Sequence, residues 1–161
     1  PATCPCTGLA PVVRQLVNVV PPESAYFGQQ AGPQLVVIRQ MVRDLDCPVE
    51  LVAVPTVREP DGLAMSSRST YLSPDERSAA TVLYRALMRA HAFHTEGEQD
   101  AEVLRVARSE VLAAEPLAAA EYVSVADPET LEELELVGSE AMVSLAVRIG
   151  GARLIDHVML A

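Results

Sequence analysis

Apolar residues recur at helical spacing in two stretches of the first fifty residues, and a short apolar run follows each stretch. The stretches at 8–20 and 34–45 predict two amphipathic helices, and Pro21-Pro22 ends the first. The runs at 24–28 and 49–54 have the length and composition of buried strands. Strand, helix and strand in this order predict a right-handed βαβ unit with parallel strands. The second helix is expected to bury five side chains: Leu35, Ile38, Met41, Val42 and Leu45.

The second half of the chain predicts two helices. Ser73 and Glu76 form a capping box with a proline at the first helical position, which predicts a helix running to about His94. A second amphipathic helix is predicted over residues 100–114. The first of these helices is expected to bury one stripe of its surface: Ala80, Leu83, Leu87, Ala90 and His91 or their neighbours.

Alternating apolar residues then predict strands over 119–126, 141–149 and 153–160, and Gly150-Gly151 is typical of a tight hairpin between the last two. Residues 129–135 are predicted to form an acidic, solvated face with about one helical turn. The whole pattern predicts an α/β protein. Its first part is the closing βαβ part of a Rossmann-like sheet, and its second part is a small α+β domain with helices on a three-stranded antiparallel sheet.

Composition narrows the class of protein. Half of the 161 residues are hydrophobic but only 4% are aromatic, so the core is expected to be aliphatic. A net charge of −10 disfavours a nucleic-acid-binding protein. All twelve basic residues are arginine, so no lysine can contact phosphate or act as a catalytic amine.

Cysteine usage and hydropathy bear on location. The odd set of Cys4, Cys6 and Cys47 is too small for a zinc site and indicates ordinary thiols. No apolar run approaches the roughly 18 residues that span a bilayer, and no signal-peptide pattern opens the sequence. We therefore expect a cytoplasmic protein with no membrane partner.

A loop rich in hydrogen-bond donors lies between the strand ending at Val54 and the capping box at Ser73. Guanidinium groups and hydroxyls suit a polyanion, and the apolar residues 63–65 between them can cover a flat base. The donors alone leave a second interpretation open, in which the loop is a solvated connection with incidental arginines. The donor side chains are Thr56, Arg58, Ser66, Ser67 and Arg68.

Residues 55–72 read P-T-V-R-E-P-D-G-L-A-M-S-S-R-S-T-Y-L. They closely resemble the signature loop of the pantoate–β-alanine ligase (pantothenate synthetase) family, its version of the KMSKS loop, in which an asparagine stands where this chain has Ser69. The resemblance continues through residues 25–29 and 34–42 and, more weakly, to Asp156-His157. It covers nearly the whole chain, but only the C-terminal part of a family member.

The resemblance implies a Rossmann-like nucleotidyltransferase fold. It also implies an enzyme that uses ATP and Mg²⁺ to condense pantoate with β-alanine through pantoyl adenylate. It divides the chain into a partial nucleotide-binding region (1–58), the loop (59–72) and an α+β domain (73–161). It implies that Ser66, Ser67 and Arg68 hold the triphosphate. It further implies that Met65 packs near adenine, the Val57 backbone reads its edge, Gly28 lies against the ribose, and Gln34 binds pantoate.

Three residues depart from the family pattern. Where the family has K-D-x-Q-Q, this chain has Gln30, Ala31 and, in place of the first glutamine, Pro33. The family's HxGH-type phosphate motif is absent from these 161 residues. Losing one donor to the transition state typically costs on the order of 10²–10³ in rate, so full catalysis by this chain alone is not expected.

Two functional hypotheses follow. In the first, the chain is an ATP-dependent pantoate–β-alanine ligase that keeps partial nucleotide binding. A related amide-forming ligase with another acid or amine is a variant of this hypothesis. Alternatively, the chain is an inactive domain that pairs with a separate N-terminal half or dimerises through the helix at 8–20. His91 and His94 are expected to be a surface or half-buried pair, and Asp156-His157 a structural hydrogen bond. Glu59 and Asp61 are candidate magnesium ligands, with a turn role favoured for Asp61.

Overall fold

The computed structural model describes residues 8–161. The sequence of residues 1–7 shows no clear structural pattern, and these residues, with Cys4 and Cys6, lie outside the described part of the chain. The chain divides into two compact units, residues 1–56 and residues 57–161, so that the donor-rich loop from Val57 onward belongs to the second unit and Thr56 to the first. Each unit is described by itself below.

The first unit has the predicted βαβ order preceded by a helix. Helix α1 spans Leu9–Val19, strand β1 Ser24–Gly28, helix α2 Gly32–Asp44 and strand β2 Glu50–Val54, and a 3₁₀ turn over Gln29–Ala31 links β1 to α2. The two strands pair in parallel, from Ser24 opposite Glu50 to Gly28 opposite Val54. The parallel strands and both helices of this unit are therefore confirmed.

The core of the first unit is small. Val13, Ile38 and Met41 are buried together, with partly buried neighbours that include Phe27 and Leu51. The prediction that Leu45 is buried was wrong: it lies just after the end of α2 and is 44% exposed. Half of the apolar stripe predicted for the first helix also faces outward, since Val12, Leu16 and Val20 are more than half exposed. Val19 of α1 and Tyr26 of β1 are more than half exposed as well.

The second unit packs helices on an antiparallel sheet, as predicted. Strands β3 (Ala118–Ala126), β4 (Ala141–Ile149) and β5 (Ala152–Leu160) form the sheet in the order β3-β4-β5. Its helices are α3 (Pro74–Ala79), α4 (Val82–Thr95) and α5 (Ala101–Ala113). Their inward faces and the strands enclose one aliphatic core, which includes Leu83, Leu87, Leu104, Leu145 and Ile149.

One long helix from the capping box to His94 was predicted, and this was wrong. The capping box between Ser73 and Glu76 is present, but the helix breaks between α3 and α4. Thr81 explains the break, because its hydroxyl and its N–H both donate to the Ser78 carbonyl and tighten the backbone into a 3₁₀-type turn. The buried stripe is otherwise as predicted, except that His91 is exposed.

Strand β3 is an irregular edge of the sheet. Its pairing with β4 shifts register at a bulge between Ala120 and Tyr122, which leaves Glu121 unpaired in the ladder. The helical turn predicted in the acidic stretch 129–135 forms at its start, where Leu131 donates its N–H to the Asp127 carbonyl at 3.0 Å, and the rest of the stretch lies along the end of β3. Leu134 donates its N–H to the Val125 carbonyl, and Glu133 bridges to Ala126.

Arg108 on α5 is fully buried, which its place in an amphipathic pattern did not predict. Its guanidinium donates to the main-chain carbonyls of Leu104, Ser124 and Ser144 at 3.1–3.2 Å. Its Nη2 has no hydrogen-bond partner among the described residues. Burial, with a smaller contribution from nearby Arg105, lowers the pKa of Arg108 to about 10. The guanidinium therefore links α5 to β3 and β4 by hydrogen bonds, and the desolvation of its charge opposes this stabilisation.

Arg108→Met is expected to lower the free energy of unfolding by about 2 kcal/mol. Two strand carbonyls lose their donor, which is destabilising, and the removal of a buried charge offsets part of that loss. Arg108→Ala is expected to cost about 2 kcal/mol more, because it leaves a cavity. Urea unfolding followed by circular dichroism measures both. A methionine variant as stable as the parent chain would show that the strand carbonyls do not need the guanidinium.

Candidate functional site

The first half of the donor-rich loop, residues 57–65, is a narrow hairpin that we call the loop hairpin. Pro60-Asp61-Gly62 forms its turn, as the sequence predicts, and Gly62 adopts φ +88°. Three main-chain hydrogen bonds and one β-bridge close it: Met65 N–H to the Val57 carbonyl (2.9 Å), Glu59 N–H to the Leu63 carbonyl (2.8 Å), Gly62 N–H to the Glu59 carbonyl (2.8 Å), and Arg58 opposite Ala64.

The apolar residues of the loop hairpin are divided between the core and solvent. Leu63 and Ala64 are each 3% exposed, so they anchor the hairpin and cannot cover a base as expected. Met65 and Val57 are 56% and 62% exposed. The two residues that the resemblance assigns to adenine are therefore accessible, although the Val57 carbonyl already accepts the Met65 N–H.

Arg58 is bound to protein groups, which corrects its expected role as a phosphate donor. Its guanidinium forms a bidentate ion pair with Asp156 at 2.6 and 3.0 Å. It also donates to the carbonyls of Gly62 (3.0 Å) and His157 (3.3 Å), and it lies 4.9 Å from the centre of the Tyr84 ring. The structural role predicted for Asp156 is confirmed, because its carboxylate also accepts the His157 N–H.

Glu59 and Asp61 are ion-paired with Arg77 at 2.9 and 2.8 Å. The hydrogen bond from Arg77 is the main reason that the pKa of Asp61 lies below its ordinary value. Asp61 also accepts the Leu63 N–H, which is the expected turn role. Within residues 8–161 no group of three histidine, cysteine or acidic residues could hold a metal ion.

The second half of the loop presents the predicted phosphate donors to solvent. Ser66 caps a 3₁₀ turn over Ser67–Tyr71 by accepting the Arg68 N–H at 3.2 Å. Ser67 and Arg68 are exposed and Ser66 is half-buried. The Arg68 guanidinium donates to the Arg153 carbonyl at 3.2 Å, which steadies it beside β5. At Ser69, where the family has asparagine, the hydroxyl is buried with no hydrogen-bond partner among the described residues.

The remaining predicted site residues lie in the first unit. Gly28 ends β1 and is exposed, and a Cβ atom there would meet nothing within 4 Å. Gln34 lies half-buried in the first turn of α2. Gln30 and Ala31, which replace the family's lysine and aspartate, form the 3₁₀ turn between β1 and α2. The structure thus brings Val57, Met65 and residues 66–68 into one loop, and it places Gly28 and Gln34 in the other unit.

Sequence reasoning missed the residues that hold the loop in place. Arg77 and Tyr84 had no signal beyond their places on predicted helices, and Arg153 contributes only a carbonyl to Arg68. The histidine prediction is confirmed, since His91 is exposed and His94 is half-buried. In the described part of the chain, no helix is long and apolar enough to cross a bilayer. The cytoplasmic location stays a prediction.

Comparisons with known proteins agree with this fold. The profile of the Pantoate-beta-alanine ligase family matches residues 6–159. A pantothenate synthetase from Chloroflexus aggregans is 57% identical over 95% of this chain and 56% of its own length. The crystal structure of pantothenate synthetase from Thermus thermophilus has a TM-score of 0.89 at 46% identity, covering 94% of this chain and 54% of that one.

A more distant structure is the pantoate-beta-alanine ligase from Francisella tularensis, which was solved in complex with beta-gamma ATP and β-alanine. Its TM-score is 0.67 at 26% identity, with 94% of this chain and 49% of that one covered.

The predicted fold class is confirmed: the closing βαβ part of a Rossmann-like nucleotidyltransferase domain, followed by a small α+β domain. The chain belongs to the pantoate–β-alanine ligase family. It spans about half the length of the curated relatives it matches and corresponds to their C-terminal portion.

Gly62→Ala is expected to destabilise the second unit by about 2 kcal/mol more than Gly97→Ala does. Both glycines have positive φ, +88° and +101°. A Cβ atom at Gly62 would lie 2.0 Å from the Tyr84 ring, whereas one at Gly97 would meet nothing within 4 Å. Urea unfolding of both variants measures the difference. Equal losses would mean that the Tyr84 ring does not confine the turn.

Proposed function

We propose that this chain provides the loop that binds ATP phosphates in a pantoate–β-alanine ligase. In the reaction, ATP and pantoate give pantoyl adenylate and pyrophosphate, and β-alanine then displaces AMP to give pantothenate. The observation that carries the proposal is the exposure of Ser67 and Arg68 on a loop whose first half is fixed by hydrogen bonds and ion pairs. Family membership and the nucleotide bound to the Francisella relative support it.

The chemistry demands donors where negative charge develops on the departing phosphates, and little covalent help from the protein. We assign the triphosphate to the hydroxyls of Ser66 and Ser67 and to the guanidinium of Arg68. The exposed thioether of Met65 supplies an apolar surface for adenine, beside the backbone of Val57. In the first unit, we assign Gly28 to the ribose and Gln34 to pantoate.

The hydrogen-bond donors of this chain can bind a nucleotide, but they do not include all the groups that the complete reaction needs. Arg68 provides the one exposed guanidinium of the loop, because Arg58 is bound to Asp156. Gln30 can donate a hydrogen bond but carries no charge where the family has lysine. We therefore propose that the chain alone binds ATP, and that β-alanine condensation needs groups from the part of the relatives that it does not match.

Arg68→Gln is expected to weaken ATP binding by about 10- to 100-fold, because one charge-assisted bond contributes about 1.5–3 kcal/mol. Isothermal titration of the full chain with ATP and Mg²⁺ measures this. Arg85→Gln, on the exposed side of α4, makes the same change in net charge away from the loop and should bind ATP like the parent chain. No heat and no shift in melting temperature at millimolar ATP would sink the proposal.

A second candidate function is suggested by the first unit. Parallel sheets normally have both faces covered, yet this unit has two strands and exposes Tyr26 at 70%. The outward residues of α1, Leu16 and Val19 among them, are 60% and 79% exposed. Such surfaces favour a partner-binding role, in which a separate N-terminal half of the same family covers this unit. A homodimer through α1 is the alternative occupant.

Mixing the chain with the unmatched N-terminal portion of the Thermus thermophilus relative is expected to give a one-to-one complex. Light scattering after size exclusion measures its mass, and formation of pantothenate in the mixture measures activity. Leu16→Glu should prevent association, whereas Arg39→Glu on the exposed side of α2 should leave it intact. A stable homodimer that does not bind the added portion would support the homodimer through α1 instead.

A further inference from the structure

The ion pair between Arg58 and Asp156 is shielded from water on its acidic side. The Asp156 side chain is 2% exposed and the Arg58 side chain 22%. Asp156 lies on β5 opposite Leu145 of the central strand, so its position is fixed by the sheet. Both carboxylate oxygens accept from Arg58, and one of them also accepts the His157 N–H. A desolvated, bidentate pair of this kind has one favoured geometry.

Arg58 links three elements at once. Its bond to the Gly62 carbonyl crosses the loop hairpin, its bonds to Asp156 and His157 reach β5, and its guanidinium plane lies over Tyr84 of α4. The Tyr84 ring in turn occupies the space where a side chain at Gly62 would stand. Arg58 thus fixes the hairpin to the sheet and to α4, in addition to the burial of Leu63 and Ala64 and the ion pairs of Arg77.

The second half of the loop has no buried ion pair of this kind in the described structure, although the Ser69 hydroxyl is buried and Leu72 packs against the core. The turn over Ser67–Tyr71 is held by the short-range bonds of Ser66 and Thr70 and by the bond from Arg68 to the Arg153 carbonyl, and the side chain of Tyr71 is 82% exposed. It begins directly after Met65, whose N–H closes the hairpin on Val57. A tilt of the hairpin therefore displaces Ser66, the residue next to it.

We infer that the Arg58–Asp156 pair is a positioning clamp for the phosphate donors, with neither residue touching the nucleotide. The clamp holds the loop hairpin in one orientation, so that residues 66–68 meet the phosphates without first having to be ordered. The inference rests on the proposed nucleotide binding by this loop. It divides the two loop arginines into one that positions and one that contacts phosphate.

Asp156→Asn and Arg58→Lys test the clamp in the full chain. Asparagine keeps the shape of the side chain but loses the charge, and lysine keeps the charge but cannot form the bidentate pair. Both variants are expected to bind ATP about 10- to 100-fold more weakly by isothermal titration, since residues 66–68 must then be ordered when the nucleotide binds. Leu112→Ala, in the core at the far end of α5, is the control for general destabilisation and should bind ATP normally.

Amide hydrogen exchange without nucleotide separates a local from a global effect. In Asp156→Asn the amides of Gly62 and Met65 should exchange at least about tenfold faster, while that of Leu145 in β4 stays protected. In Leu112→Ala all three should change together.

Two results would overturn the clamp: parent-like ATP affinity in both clamp variants, or amides of Gly62 and Met65 that exchange no faster in Asp156→Asn than in the parent chain. If the parent chain binds no ATP, the proposed function fails. The exchange of the loop amides then decides by itself whether the clamp orders the loop.

Discussion

The buried carboxylate of Asp156 needs a cation, and the protein supplies it from Arg58, 98 residues earlier in the chain. An isolated carboxylate at this depth would be strongly disfavoured, so the loop hairpin must fold back onto β5 whenever the sheet forms. The geometry of the loop is therefore set by the same core that stabilises the second unit. Leu63 and Ala64 strengthen this coupling by placing the hairpin's apolar side in that core.

The two units differ in how much of their apolar surface they bury. The second unit encloses an aliphatic core between its helices and three strands, which accords with a composition rich in valine, leucine and alanine. The first unit buries Val13, Ile38 and Met41 and leaves half of the apolar stripe at 8–20 in solvent. The chain spans about half the length of the curated relatives it matches, and its exposed apolar residues include several in the unit with the smaller core.

Hydrophobic periodicity was enough to predict the helices and strands, because each buries one face and shows it in the spacing of its residues. The break at Thr81 was missed, because a side-chain hydrogen bond to Ser78 overrides an uninterrupted apolar pattern. The signature loop was recognisable from its residue order, but the different roles of its two arginines could not be predicted. Arg58 and Arg68 look equivalent in sequence, and only the folded position of Asp156 separates them.

The irregular outer edge of β3 bears on how the protein behaves at high concentration. The bulge at Glu121 interrupts the ladder near one end of the strand, and the stretch around Leu134 occupies its bonding groups near the other. Glu121 is also held between Arg148 and Arg153, which keeps charge along this border. An extended segment of another molecule would find no continuous row of amides to pair with. This edge therefore offers a poor template for aggregation into intermolecular sheets.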